Sequence, residues 1–316
     1  MRKVIIREND ANQTLIKFLE KYLKGAPKSV IQKSIRTKKV KVNGSRAEAS
    51  KMLKNEDIVD IYIYDEVIDE WRDKASKNTV SSKLDLNIAY ENDDVVIIDK
   101  PANILSHAAD REDYGNTVVD FLVSYLIEKG DYVPRLEHSF TPAIVNRLDR
   151  NTKGLVIGAK NRQALLSLNK AMDSNDIEKY YLAIVYGSFK GEKEIINYLE
   201  KDENNVVQVV GDKSGKKSVT KVKSILNDGT YSLVEIKLET GRTHQIRATL
   251  NDLGYPIVGD RKYFSSMRNY KVKHQQLIGY KLKFSDDIEI ESLRGLTVES
   301  GYSEEIYAMF KKLGEE

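Results

Sequence analysis

Residues 144–160 read Ile-Val-Asn-Arg-Leu-Asp-Arg-Asn-Thr-Lys-Gly-Leu-Val-Ile-Gly-Ala-Lys and combine a charged loop with an apolar run. Asp149 lies between Arg147 and Arg150, a polar turn follows, and the apolar residues 155–159 predict a buried strand. A carboxylate beside two guanidinium groups is ionised, because a nearby opposite charge favours the charged form. An ionised aspartate on such a loop can act as a nucleophile, and it can equally form a structural ion pair. The segment alone leaves both interpretations open.

Three segments occur in an order that is typical of one enzyme family. Residues 144–160 resemble the signature of the RluA-type pseudouridine synthases, HRLDRxTSGLxxxAK. Residues 178–187, EKYYLAIVYG, and residues 240–260, which open with TGRTHQIR and end with GYPIVGD, resemble two further motifs of that family. The resemblance extends from about residue 84 to the end of the chain.

The resemblance implies a reaction that needs neither a cofactor nor a metal. The enzyme would break the bond between ribose and the uracil nitrogen, rotate the base and rejoin it through carbon, with no redox change and no net hydrolysis. The target uridine would have to leave its stack, because the enzyme cannot reach it inside a helix. With no cysteine and four histidines, the chain also offers little material for a metal site.

The resemblance also assigns roles to individual residues. Asp149 matches the essential aspartate. It could attack the anomeric carbon or the uracil ring, or it could stabilise an oxocarbenium-like or glycal species, and the sequence does not choose between these routes. Tyr181 matches the tyrosine that stacks on the flipped base and is a candidate for proton transfer, although a strand tyrosine could also simply pack in the core. Arg247 matches the arginine that pairs with the aspartate, and Arg147 the arginine that occupies the space left by the base. Further side chains are expected to contact phosphates or to shape the cleft: Arg150, Arg242, His244 and Gln245.

The chain departs from the family pattern at three positions. Asn146 stands where the family usually has histidine, and since an amide still donates and accepts hydrogen bonds, we expect a change in local architecture or substrate preference. Lys153 replaces a serine and adds charge near the cleft. Asn103 replaces the glycine of the motif KPxGxxxH in residues 100–107, a mild change because asparagine tolerates positive φ. His107 of the same motif receives no chemical role.

The N-terminal part of the chain concentrates positive charge. Residues 21–54 hold eleven lysines and arginines and one acid, Glu48, whereas the other residues sum to a net charge of −7. Two helices, over residues 14–24 and from Ser29 as N-cap, precede an Asn43-Gly44 hairpin, and together they resemble an S-four-like RNA-binding domain. Clustered cations of one sign favour contact with phosphates over an ordinary solvated face. The residues expected to bind RNA, hereafter the basic cluster, are Lys28, Lys33, Arg36, Lys38, Lys39, Lys41 and Arg46.

The order of the predicted elements favours an α+β fold with three segments. Residues 1–64 are expected to form a small N-terminal α/β RNA-binding domain, and residues 65–83, polar and rich in serine and charge, a linker. Residues 84–316 would then form a catalytic domain on a mostly antiparallel mixed sheet with flanking helices, because hairpins rather than βαβ units dominate.

The function expected from these features is an RNA pseudouridine synthase that acts on structured RNA. Large-subunit ribosomal RNA is the expected substrate, with a monomeric protein that lies in the cytoplasm, has no membrane segment and needs no protein partner. A non-catalytic RNA-binding factor would instead predict loss of Asp149, Tyr181 or Arg247, and all three are present. A glycoside-type hydrolase would need a second carboxylate, and nothing in the sequence marks one among the nearby acids, which are Glu178, Glu239 and Asp260.

Overall fold

The computed structural model describes most of the chain as two compact units. Unit 1 lies within residues 1–84, 108–143 and 159–166, and unit 2 within residues 85–107, 144–158 and 167–316. Within the described residues, no helix has the length and apolar character that crossing a membrane requires. The described residues are 1–76, 82, 84–134, 138–203, 206–211, 214–264 and 272–315.

The first part of unit 1 combines helices with a four-stranded sheet in the order β1-β6-β3-β4 and a two-stranded pair, β2-β5. The predicted hairpin is confirmed, since Asn43 and Gly44 join β3 to β4 with φ of 51° and 72°. The second helix begins at Lys28 rather than after Ser29, because the extended Pro27 is its N-cap. The elements are β1 (Arg2–Ile5), β2 (Gln13–Thr14), α1 (Leu15–Tyr22), α2 (Lys28–Arg36), β3 (Val40–Val42), β4 (Ser45–Arg46), β5 (Met52–Leu53), β6 (Ile58–Ile61) and α3 (Asp65–Ser76).

The helix α3 occupies the first part of the predicted linker over residues 65–83. Its first turns are bound to the N-terminal strand, because Arg2 pairs with Asp65 at 3.0 Å and with Asp69 at 2.6 Å. Ile68 is fully buried in the hydrophobic core of unit 1, and Trp71 packs against that core. These contacts join residues distant in sequence, so a local pattern could not reveal them.

Each compact unit is built from segments that are separate in the sequence. Residues 108–143 and 159–166 belong to unit 1, although the sequence placed them in the catalytic domain. Residues 77–81 and 83 of the predicted linker lie outside the described residues.

The larger sheet confirms the predicted α+β class. Its strands follow the order β13-β12-β14-β15-β11-β16-β10-β8-β7, with β17 beside β16 and β9 beside β10. The elements are β7 (Asn87–Glu91), β8 (Val95–Lys100), α4 (Val118–Lys129), β9 (Ala143–Ile144), β10 (Lys153–Ala159), α5 (Arg162–Ser174), β11 (Ile177–Tyr186), β12 (Glu192–Lys201), β13 (Val207–Val210), β14 (Lys216–Asn227), β15 (Tyr231–Leu238), α6 (Gln245–Asp252), β16 (Leu277–Phe284), β17 (Thr297–Glu299) and α7 (Ser303–Gly314). Short 3₁₀ helices cover Glu8–Asp10, Arg111–Asp113 and Glu291–Leu293.

Two glycines bring β10 and β16 together at the centre of this sheet. The two strands run parallel with Gly154 opposite Gly279, whereas β11 pairs with β16 and β15 in antiparallel register. A Cβ atom on Gly154, whose φ is 121°, would lie 2.1 Å from the carbonyl oxygen of Gly279. The close approach therefore requires glycine at position 154 and fixes the start of the strand that follows the charged loop.

Candidate active site

The loop that carries Asp149 is held by a serine from a distant segment. The Oγ of Ser106 accepts a hydrogen bond from the backbone N–H of Leu148 at 3.0 Å and donates one to its carbonyl oxygen at 2.8 Å. The N–H of Thr152 donates to the carbonyl oxygen of Asp149 at 3.1 Å, which closes the following turn. The aspartate thus stands on a loop whose backbone is fixed on both sides. Ser106 was not predicted from the sequence.

Asn146, which replaces the family's histidine, joins the same loop to β10. Its Nδ2 donates to the carbonyl oxygen of Leu155 at 3.0 Å, and its Oδ1 accepts from the N–H of Ile157 at 2.8 Å. The side chain is buried, so both amide groups are satisfied by the backbone of the neighbouring strand. Asn146 also lines the cavity around Asp149, but its amide is engaged by the backbone of β10.

The carboxylate of Asp149 is paired with a doubly anchored arginine. Arg247 donates from Nη1 to Asp149 Oδ2 at 2.8 Å, and from Nε and Nη2 to the two oxygens of Asp260 at 2.7 and 2.8 Å. The side chain of Asp260 is 1% exposed, whereas that of Asp149 is 28% exposed. Burial opposes the charged guanidinium, but the hydrogen bonds and charges of Asp260 and Asp149 outweigh it and raise the pKa of Arg247. Asp260 therefore fixes the arginine, and the arginine presents one N–H to the more accessible Asp149.

Tyr181 lies on β11, and its partner residue on β16 is Gly279. The chain bulges between Tyr180 and Tyr181. A Cβ atom on Gly279 would lie 3.2 Å from the tyrosine ring, so a glycine leaves room for that ring. Burial, and then the negative charge of Asp149, raise the pKa of the Tyr181 phenol, which is neutral at pH 7.

His244 forms a second contact with the carboxylate side of the site. It begins α6 with φ of 50°, its Nδ1 lies 2.9 Å from the hydroxyl of Tyr263, and its Nε2 lies 3.7 Å from Asp149 Oδ2. Burial lowers the pKa of His244, and the charge of Asp149 only partly opposes that effect. The imidazole is consequently neutral at pH 7, and Arg247 supplies the positive charge beside Asp149.

Lys100 is a buried cation that the sequence analysis did not assign. It is 0% exposed, and its Nζ donates to the carbonyl oxygens of Pro101, Ile104 and Arg150 at 2.9, 2.9 and 3.1 Å. Burial lowers the pKa of Lys100 to about 7, against the opposing attraction of Asp149. Asn103 of the same loop has φ of 70°, as expected for a position where the family has glycine.

A cavity of about 740 Å³ collects the predicted catalytic and substrate-binding residues. Arg147, Arg150 and Arg242 are exposed at this cavity. The amide of Gln245 instead forms hydrogen bonds with protein groups. Its Oε1 accepts from Thr240 Oγ1 and the N–H of Arg242, and its Nε2 donates to the carbonyl oxygen of Val219 and to Thr220 Oγ1. The predicted residues that line the cavity are Arg147, Asp149, Arg150, Tyr181, Arg242, His244, Gln245 and Arg247.

The basic cluster lies on and after α2 in unit 1. Six of its side chains are exposed, and Lys41 is half-buried with its Nζ 5.2 Å from the centre of the Tyr62 ring. Lys28 is 81% exposed and lies 3.9 Å from Glu20, a distance at which an ion pair contributes little. The structure therefore presents a cationic surface, as the charge pattern predicted.

The fold and the cavity define an α+β enzyme with an arginine-bound aspartate, a buried tyrosine and cations suited to a polyanionic substrate. The family model described as RNA pseudouridylate synthase matches residues 94–252. A protein of Mycoplasma capricolum named Uncharacterized RNA pseudouridine synthase is 35% identical over 301 residues, which cover 93% of each chain. The chain belongs to the RNA pseudouridylate synthase family, whose members are isomerases that convert uridine to pseudouridine in RNA.

Two further comparisons extend this finding. A Borreliella burgdorferi protein named Ribosomal large subunit pseudouridine synthase D is 34% identical over 223 residues, covering 69% of this chain and 68% of that protein. The solved structure of Human RNA Pseudouridylate Synthase Domain Containing 4 matches 72% of this chain and 92% of its own with a TM-score of 0.56 and 17% identity, which shows the shared fold. The expected family, enzyme class and fold are confirmed.

Proposed function

We propose that the protein isomerises specific uridines of large-subunit ribosomal RNA, with Asp149 as the essential group. The observation that carries this proposal is the chain of contacts from Asp260 through Arg247 to Asp149. Two carboxylates share one guanidinium, so the carboxylate of Asp149 keeps a fixed direction. A carboxylate held in a fixed direction is what either a nucleophilic or a charge-stabilising route requires.

The remaining cavity residues receive roles from their surroundings. The ring of Tyr181 is buried and neutral, which suits stacking against a flipped uracil and proton transfer through the hydroxyl. Arg147 would occupy the space left by the flipped base, and Arg150 and Arg242 would bind phosphates, which the exposure of all three side chains supports. His244 borders the site as a neutral group. Because its amide hydrogen-bonds to Thr240 and Val219, Gln245 would support the loop before α6.

Docking of the RNA is proposed for residues 1–64 as an S-four-like domain. The exposed basic cluster supports this role, since clustered lysines and arginines neutralise phosphates. The printed name of the Borreliella burgdorferi relative supports a large-subunit substrate. We further propose that the protein works as a monomer in the cytoplasm, with residues 84–316 as the catalytic domain.

Pseudouridine mapping by carbodiimide labelling and primer extension tests the proposal. Total RNA is compared from cells with the intact gene, without the gene, and with Asp149→Ala. Loss of the mark at one or a few large-subunit uridines in both deficient strains is the expected result. Purified protein and a ribosomal transcript then exclude a redundant enzyme. If the maps are identical in all three strains and the purified protein converts no uridine, the protein is instead a non-catalytic RNA-binding factor.

A further inference from the structure

A second cavity opens beside the reaction cavity, at the end of the β12–β14 ribbon. This side cavity has a volume of about 370 Å³, and Gly241, Arg242 and Thr243 line both cavities. The loop before α6 is therefore their common wall. A ligand that extends out of the reaction cavity past Arg242 enters the side cavity directly.

The wall of the side cavity is cationic and its floor is apolar. Lys201, Lys216 and Arg242 contribute positive charge, and the acid in the lining is Glu200. All three cationic side chains are exposed, and among the described residues none of them forms an ion pair with a carboxylate. The floor is formed by Leu199, which is 4% exposed, and Val207, which is 5% exposed.

The ribbon holds these groups in a fixed arrangement. Leu199 pairs with Lys216 in the register of β12 and β14, so the apolar floor and one cation lie on neighbouring strands. Arg242 is anchored through its N–H to Gln245 Oε1 and through its Nε to the carbonyl oxygen of Lys217. Its terminal guanidinium nitrogens remain for a ligand.

The side cavity is connected to the reaction chemistry by hydrogen bonds. The N–H of Val207 donates to the hydroxyl of Tyr263 at 3.1 Å, and the same hydroxyl lies 2.9 Å from Nδ1 of His244. His244 in turn approaches Asp149. One tyrosine hydroxyl thus bridges the floor of the side cavity and the residue beside the aspartate.

We propose that the side cavity binds a nucleotide that flanks the target uridine in the same RNA strand. Its phosphate is held by Lys201, Lys216 and Arg242, and its base lies over Leu199 and Val207. A nucleotide has both required properties, an anionic group for the cations and a flat apolar face for the floor. The inference rests on the proposed function, because it assumes that the reaction cavity receives the uridine of an RNA strand.

The test compares two double variants of the same ribbon in the full-length protein. Lys201→Ala/Lys216→Ala removes two cations of the side cavity, and Lys193→Ala/Lys223→Ala removes two exposed lysines from β12 and β14 outside it. On a ribosomal transcript with the mapped uridine, the first variant should raise KM about tenfold and leave kcat within about twofold. The control should change neither, and equal effects of the two variants would refute the side cavity as a binding site.

The salt dependence and a modified substrate identify the phosphate. The slope of log affinity against log salt should become shallower by up to about 0.7 in the first variant, the value for one neutralised phosphate of a single strand. A methylphosphonate at the flanking linkage should raise KM strongly for the wild-type protein and less for Lys201→Ala/Lys216→Ala, because only the contact with Arg242 is then left to lose. Additive effects of the two changes would contradict the proposal.

A failure of the proposed function gives a different result. In that case neither the wild-type protein nor the control variant converts uridine. The side cavity is then tested by fluorescence anisotropy with oligouridylate of twelve nucleotides. Weaker binding by Lys201→Ala/Lys216→Ala than by the control supports the site, and equal binding refutes it.

Discussion

The buried cations Arg247 and Lys100 differ from the cations of the basic cluster in what surrounds them. Arg247 is 7% exposed and donates to two carboxylates, and Lys100 is 0% exposed and donates to three carbonyl oxygens. Lys28 of the basic cluster is instead 81% exposed and lies 3.9 Å from an acid. A buried cation without its acceptors would be costly, whereas an exposed one is solvated by water.

This difference in burial indicates that the protein uses its positive charges in two ways. Protein acceptors occupy the hydrogen-bond donors of Arg247 and Lys100, and these contacts orient the loop and the carboxylate of Asp149. In the basic cluster the charges stay available, so a phosphate backbone can replace water and counterions there. Variants of the first kind should therefore change stability and turnover together, and variants of the second kind should change only the binding of RNA.

The largest effect is expected for Arg247→Met. The substitution leaves the buried Asp260 without its partner and frees Asp149, so kcat should fall by about a thousandfold and the free energy of unfolding by about 3 to 5 kcal/mol. Steady-state kinetics and urea titration measure the two losses. Arg261→Met, at an exposed arginine of the same cavity wall, controls for the loss of a charge and should leave stability unchanged. Wild-type stability in Arg247→Met would contradict the role of the buried pair.

The second prediction concerns Lys100→Met and its dependence on pH. The pKa of Lys100 is lowered from 10.5 to about 7, so between these values the unfolded chain binds more protons than the folded protein. The free energy of unfolding of the wild type should therefore rise with pH, by up to about 1.4 kcal/mol per unit, and below pH 7 this contribution is constant. The variant lacks the rise, so the difference between the two proteins should grow by about 2 to 3 kcal/mol from pH 7.5 to 9.5.

Urea titrations at pH 7.5, 8.5 and 9.5 measure that difference, and other titrating groups cancel between the two proteins. Lys223→Met, at an exposed lysine of β14, controls for the loss of an amine and should give a constant difference. A constant difference for Lys100→Met as well would mean that the three carbonyl oxygens hold the proton on the buried amine.

Local sequence signals predicted the elements that depend on local contacts. The capping box at the start of α4 is present, with Asp120 N–H donating to Thr117 Oγ1 at 3.2 Å and Thr117 N–H to Asp120 Oδ2 at 3.1 Å. Two elements were not predicted from the sequence, because contacts with distant residues stabilise them. The helix α3 depends on Arg2 and the core of unit 1, and β12 pairs along its length with β14 despite its polar sequence.

The same division applies to the site. Asp149, Tyr181 and Arg247 were found by their motifs, and the structure brings all three to one cavity. Ser106, Lys100 and the pairing of Asp260 with Arg247 were not predicted. Each of them acts through the fold: Ser106 binds a residue 42 positions away, Lys100 one that is 50 positions away, and Asp260 pairs with an arginine 13 positions before it. Without contacts between segments, a sequence identifies the reacting groups but not the groups that hold them.

The smallest change in stability, with a clear change in binding, is expected for Lys33→Ala/Arg36→Ala in the basic cluster. Both residues are exposed in the last turn of α2, so the free energy of unfolding should change by less than about 1 kcal/mol. KM for ribosomal RNA should rise severalfold with kcat unchanged, and the salt dependence of binding should become shallower by about 1.5.

Lys311→Ala/Lys312→Ala is the matched control, because these exposed lysines occupy the last turn of α7. It removes the same charge from the same position of a helix, so any loss from the helix dipole is shared by both variants. Anisotropy measurements with ribosomal RNA fragments at several salt concentrations compare the two. Since only the basic cluster should contact phosphates, its variant alone should lose salt dependence. Equal slopes would show that the cluster is an ordinary solvated surface, and the contrast between buried and exposed cations would then have no bearing on RNA binding.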